Sequence, residues 1–99
     1  MGETMRWSVG LEAQGDRLVT HDEIVGLADA VAPHGGIASG IGTDRYGAQI
    51  IVVASTHHEA VERGTATFRA AAATAGLPEF PIVRAEAVSE AEDDLAWEA

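Results

Sequence analysis

Four histidines, His21, His34, His57 and His58, are the only side chains in the chain whose ordinary pKa lets them trade protons near neutral pH. His57 and His58 precede Glu59 at the start of one expected helix, and His34 follows the end of another, so three imidazoles stand toward one end of the same sheet. Converging, they would suit zinc or nickel. Consecutive helical residues point about 100° apart, however, and the spacing matches no metal-ligand signature, so solvated first-turn side chains explain the pair. The chain has no cysteine, which excludes thiolate ligands, thiol nucleophiles and disulfides.

Other chemistry-bearing residues fail in context. Gly40-Ile41-Gly42 lacks the third spaced glycine of a phosphate cradle and leads into a hairpin instead of a helix. Ser39 is no nucleophile elbow, because Ile37 stands where a glycine is needed and no strand-to-helix turn follows. Asp44, Arg45 and Tyr46 fall at an expected hairpin tip, where a partner could reach them and where solvated turn residues are the simpler reading. No catalytic residue, metal site or cofactor is expected.

The elements that would position these residues follow from hydropathy. Trp7, Val9, Leu11 and Ala13 alternate with Arg6, Ser8, Gly10 and Glu12, which is the period of a strand covered on one face. Thr20-His21-Asp22-Glu23 supplies a capping box, and Ile24, Leu27, Ala28 and Val31 form the stripe of a helix that ends near Ala32, before Pro33. A short glycine-weakened strand starts at Ile37, and a turn over 43–47 leads to a partly two-sided, central strand from Ala48 to Ala54. Thr56-His57-His58-Glu59 is a second capping box. Its helix carries Val61, Thr65, Phe68, Ala72 and Ala75, with Gly76 as the cap residue and Leu77 and Pro78 beyond. The last strand runs from Ile82 to Val88.

Strand, helix, strand, strand, helix, strand is the split βαβ order. It predicts an α+β, ferredoxin-like βαββαβ sandwich, with an antiparallel sheet ordered 4-1-3-2, two helices on one face and the other face open. One domain spans residues 5–88, and an acidic tail over 89–99 carries Leu95 and Trp97 among its carboxylates.

Sixteen acidic residues against six arginines give a net charge of −10. Such a surface repels a phosphate backbone, so nucleic-acid binding by this chain alone is not expected. The longest apolar run, Ile50 to Ala54, is far too short for a bilayer, which leaves the cytoplasm as the expected location and no membrane contact. By parity the open face holds Arg6, Ser8, Gly10, Glu12, Gln49, Ile51, Val53, Arg84 and Glu86. Its charges are either a binding cluster or cross-strand pairs. Exposed Ile51 and Val53 point to Arg6, Ser8, Gln49, Ile51, Val53, Arg84 and Glu86 as the interface of a homodimer or of a contact with another protein.

Three segments, Gly26-Leu27-Ala28-Asp29-Ala30-Val31-Ala32-Pro33-His34-Gly35-Gly36, the helix Val61 to Leu77, and Val83-Arg84-Ala85-Glu86-Ala87-Val88-Ser89-Glu90-Ala91-Glu92, together carry a resemblance. They resemble a small actinobacterial ferredoxin-like domain that often precedes an excisionase-type helix-turn-helix. The likeness covers about residues 5–94 and implies a regulatory or interaction module. It does not extend to a helix-turn-helix, so no DNA-binding role is carried over. A second likeness, to ACT-type amino-acid sensors, rests on the shared element order and implies a ligand loop at Gln14, Gly15, Asp16 and Arg17. The expected function is a non-enzymatic module that acts by protein contacts and self-associates, with small-molecule sensing as the alternative.

Overall fold

The computed structural model describes residues 4–40 and 43–89. Its elements are β1 (Met5–Gln14), α1 (His21–Val31), a 3-10 turn (Ala32–His34), β2 (Ile37–Ser39), β3 (Arg45–Ala54), α2 (His57–Thr74) and β4 (Ile82–Ser89). The strands form one antiparallel sheet ordered β2-β3-β1-β4, the expected ferredoxin-like arrangement. Ile41, Gly42 and the acidic segment from Glu90 onward lie outside the described residues.

Strand periodicity places the core. Trp7, Val9, Leu11 and Ala13 of β1 are buried on the same side as Tyr46, Ala48, Ile50, Val52 and Ala54 of β3. Ile24, Leu27 and Val31 of α1 and Ala60, Phe68, Ala71 and Ala72 of α2 close over them in a single apolar cluster. Polar ends inside it are satisfied. The Trp7 indole Nε1 donates to the Ala54 carbonyl at 3.0 Å, and the Tyr46 hydroxyl donates to the Pro78 carbonyl at 2.8 Å. Among the described residues, no buried side-chain nitrogen or oxygen lacks a partner.

Capping residues set the helix limits. At α1 the box is reciprocal: Thr20 Oγ1 accepts from the Glu23 amide at 3.2 Å, and the Glu23 carboxylate accepts from the Thr20 amide at 2.9 Å. At α2 the expected box is half-built. Thr56 accepts from the Glu59 amide at 3.1 Å, while the Glu59 carboxylate pairs with Arg63 at 3.0 Å. Gly76, at φ +75°, ends α2, and the Leu77 amide reaches back to the Ala72 carbonyl at 2.9 Å.

Two further expectations are corrected. Arg45 and Tyr46 are not a hairpin tip, because β3 already begins at Arg45. Tyr46 is only 2% exposed, its ring lying 5.5 Å from Phe68 and 5.7 Å from Phe80. The buried stripe of α2 runs through Ala60, Gly64, Phe68, Ala71 and Ala72 instead of through Val61 and Thr65. Gly64 turns the helix, since its missing side chain lets the backbone settle against Val9. Among the described residues no helix is long and apolar enough to cross a membrane.

Candidate functional site

Residues of β1 that alternate with the core leave the sheet on the side away from the helices, and strand register supplies their neighbours. Arg6 lies opposite Val53, Ser8 between Ile51 and Val88, Gly10 between Gln49 and Glu86, and Glu12 between Gly47 and Arg84. β2 adds Ile37 opposite Gln49 and Ser39 opposite Gly47. The fold thus brings Arg6, Ser8, Gln49, Ile51, Val53, Arg84 and Glu86 onto one face.

Two diagonal neighbours on that face are glycines, Gly10 and Gly47, and the sheet is hollowed there. A groove of about 330 Å³ runs between Ile37 and Ser39 on the β2 side and Arg84, Glu86 and Val88 on the β4 side. A Cβ added at Gly10 would meet nothing within 4 Å. Around the groove three polar pairs form within the chain. Gln49 Nε2 donates to Ser8 Oγ at 2.6 Å, Arg45 pairs with Glu12 at 2.7 Å, and Arg84 pairs with Glu86 at 2.9 Å. The hydrogen bond from the Arg84 guanidinium holds the Glu86 carboxyl below its usual range, so it is an ionised acceptor and not a proton donor. Exposed ion pairs of this kind add little stability. On the same face stand Ile37, 73% exposed, Val53, 49%, and Val88, 36%. Ile51 is half-covered, with the turn at Gly35 beside it.

Sequence reading missed Ile37, Ser39, Gly47 and Val88 on this face. For Val88 the signal existed, because it shares the parity of Arg84 and Glu86, whereas the three residues of β2 do not set a register by themselves. Arg45 was misplaced in a turn, although it is the cation that holds Glu12.

The Gln14–Arg17 loop lies elsewhere, at the end of β1 that leads to α1. The Gln14 amide donates to the Pro81 carbonyl at 3.1 Å and the Gly15 amide to the Asp44 carbonyl at 3.0 Å, and the Phe80 ring covers Gly15. Arg17 grips both oxygens of Glu23, at 2.9 and 2.6 Å. That hydrogen bond, helped by the Thr20 amide, lowers the Glu23 carboxyl to about 2. In this loop the Gln14 and Gly15 backbone amides and the Arg17 guanidinium are engaged within the chain.

The imidazoles make separate contacts. His57 meets the Trp7 ring edge-on at 5.9 Å, His58 lies 3.2 Å from Glu62, and His21 lies 3.9 Å from Asp22. Among the described residues no group of three or more His, Asp or Glu side chains is placed to hold a metal ion. Compared with known proteins, the chain matches no family model, no curated protein and no solved structure.

Proposed function

We propose that the chain is a non-enzymatic interaction or regulatory module that works by protein contact through the open sheet face, and that it self-associates there. One observation carries this reading: Ile37, Val53 and Val88 are exposed on one face, where Ser8, Gln49, Arg84 and Glu86 already pair among themselves. Apolar surface of this kind gains about 25 cal/mol per Å² when a partner removes it from water. The groove over Gly10 and Gly47 leaves room for a partner's side chains. The resemblance to domains that precede excisionase-type readers supports the same class of function.

Light scattering across a dilution series tests the proposal. The apparent mass should rise with concentration above that of one chain, and Ile51→Glu or Val53→Glu should lower it. A monomer at every concentration, or variants with unchanged mass, would refute the reading. The sensor alternative separates in a thermal-shift screen of amino acids and nucleotides, in which no concentration-dependent rise is expected. A rise with one amino acid, abolished by substitution at Gly15 or Asp16, would favour sensing at the Gln14–Arg17 loop instead.

A further inference from the structure

We infer that the outer edge of β4 is a second self-recognition surface, on which two copies pair antiparallel about Ala85 and join their sheets edge to edge. This surface shares Arg84 and Glu86 with the open face but uses the backbone edge of β4, and it does not rest on the reading of that face.

The sheet has two edges of different character. β2 is three residues long and is followed by Gly40 at φ +124°, so it offers a pairing strand almost nothing. β4 is eight residues long, has no internal proline, and is exposed from Val83 through Glu86. Among the described residues it pairs only with β1. From Val83 to Glu86, alternate amides and carbonyls on its outer side therefore meet no strand among the described residues and are open to another copy. The β1–β4 ladder is regular from Trp7 to Glu12 and shifts only between Glu12 and Ala13, beyond Arg84.

Charge order selects the occupant. Arg84 and Glu86 flank Ala85 and lie on the same face, 2.9 Å apart at their tips. In an antiparallel pair whose two-fold axis passes through Ala85, Arg84 stands opposite Glu86 of the second copy, and Glu86 opposite Arg84. Both cross-strand pairs are then oppositely charged, and Val83 falls opposite Ala87. A slip of two residues either way sets Arg84 against Arg84 or Glu86 against Glu86, so the same charges that favour this register penalise its neighbours. Charges of a single sign would have blocked self-pairing, whereas one cation and one anion placed symmetrically about a residue fit the edge to its own copy. The two-fold axis runs perpendicular to the sheet, so the helices of both copies stay on one side and both open faces remain free.

Ala85 also supplies the test. It lies opposite Leu11 of β1, on the helix side of the sheet, yet is exposed at the edge. In the proposed pair its Cα would sit about 4.5 to 5.5 Å from its own mate, within the roughly 4.4 to 6.8 Å that a disulfide spans. The chain has no cysteine, so Ala85→Cys introduces a single thiol. Mild oxidation should yield a reducible covalent dimer much faster than the exposed control Ala66→Cys on α2 does. Added to Ala85→Cys, Arg84→Glu should slow cross-linking about tenfold by setting carboxylates opposite carboxylates. The exchange Arg84→Glu with Glu86→Arg should restore the rate. Ile51→Glu should leave it unchanged, which separates this surface from the open face. Cross-linking no faster than the Ala66→Cys control, or no recovery in the charge exchange, would overturn the inference.

Discussion

Substituting Gly64 by alanine sets two effects of opposite sign against each other. In a helix interior, alanine is better than glycine by about 0.8 to 1.0 kcal/mol, so propensity alone forecasts a more stable protein. Packing forecasts the reverse. A Cβ at Gly64 would lie 2.6 Å from Val9 Cγ1, 2.9 Å from Val9 Cβ and 3.1 Å from Val9 Cγ2. Val9 is fully buried, and its strand is paired on both sides, with β3 and with β4, so it cannot step back. α2 must lift instead, which loosens Ala60 and Phe68 on the same stripe. Overpacking of this kind costs about 1 to 3 kcal/mol. With three contacts this short the upper end applies, and after the helix gain a net loss of about 2 kcal/mol remains. For a domain of this size that lowers Tm by about 8 to 16 °C. Thermal and urea unfolding followed by far-UV circular dichroism read it directly, with Gly10→Ala as the control because open space surrounds that position. A Gly64→Ala variant as stable as the parent would show that the helix has room to spare and that glycine is not what seats α2 on β1.

Gly76→Ala should cost about 1 to 2 kcal/mol in urea unfolding, and since a Cβ there meets nothing within 4 Å the whole loss comes from the left-handed backbone at φ +75°. Glu23→Gln should flatten the acid limb of the stability profile. The Arg17 hydrogen bond lowers the folded-state carboxyl from 4.5 to about 2, so the ionised form favours folding; its contribution is complete above pH 4.5 and lost as pH falls toward 2. Equal slopes for parent and variant across that window would refute this account.

Where side-chain contrast was strong, the sequence was a sufficient guide. Trp7, Val9, Leu11 and Ala13 alternate with polar or small residues, and a two-residue period allows only one face to be buried, so the core and the open face could both be read from β1. Contrast fails in α2. Among consecutive alanines, Ala71 and Ala72 are buried while Ala70 and Ala73 are exposed, and hydropathy cannot rank identical residues. Glycine misled twice for a related reason. Gly64 contributes nothing to an apolar stripe yet occupies its centre. Gly47 suggested a turn, whereas it sits within β3 because a Cβ there would come 2.8 Å from the Leu11 carbonyl oxygen. The β2 side of the open face was missed because three residues between glycines carry too little pattern to set a register.

Arg84 and Glu86 were visible from the start as members of a face, and their symmetry about Ala85 has meaning only because of where the sheet ends. On β1 the same triplet would have neighbours supplied by β3 and β4, and its two charges would be answered within the chain. On β4 one side is answered by Glu12 and Gly10 of β1, and the other meets no strand among the described residues. Strand order therefore decides whether a charge pattern is an internal pair or an address for another copy. It also separates the two surfaces in kind. The open face presents apolar side chains and a groove, which suit many occupants, whereas the β4 edge presents backbone groups in a register that its own charges restrict to one. Of the two, the edge is the more specific and the face the more adaptable.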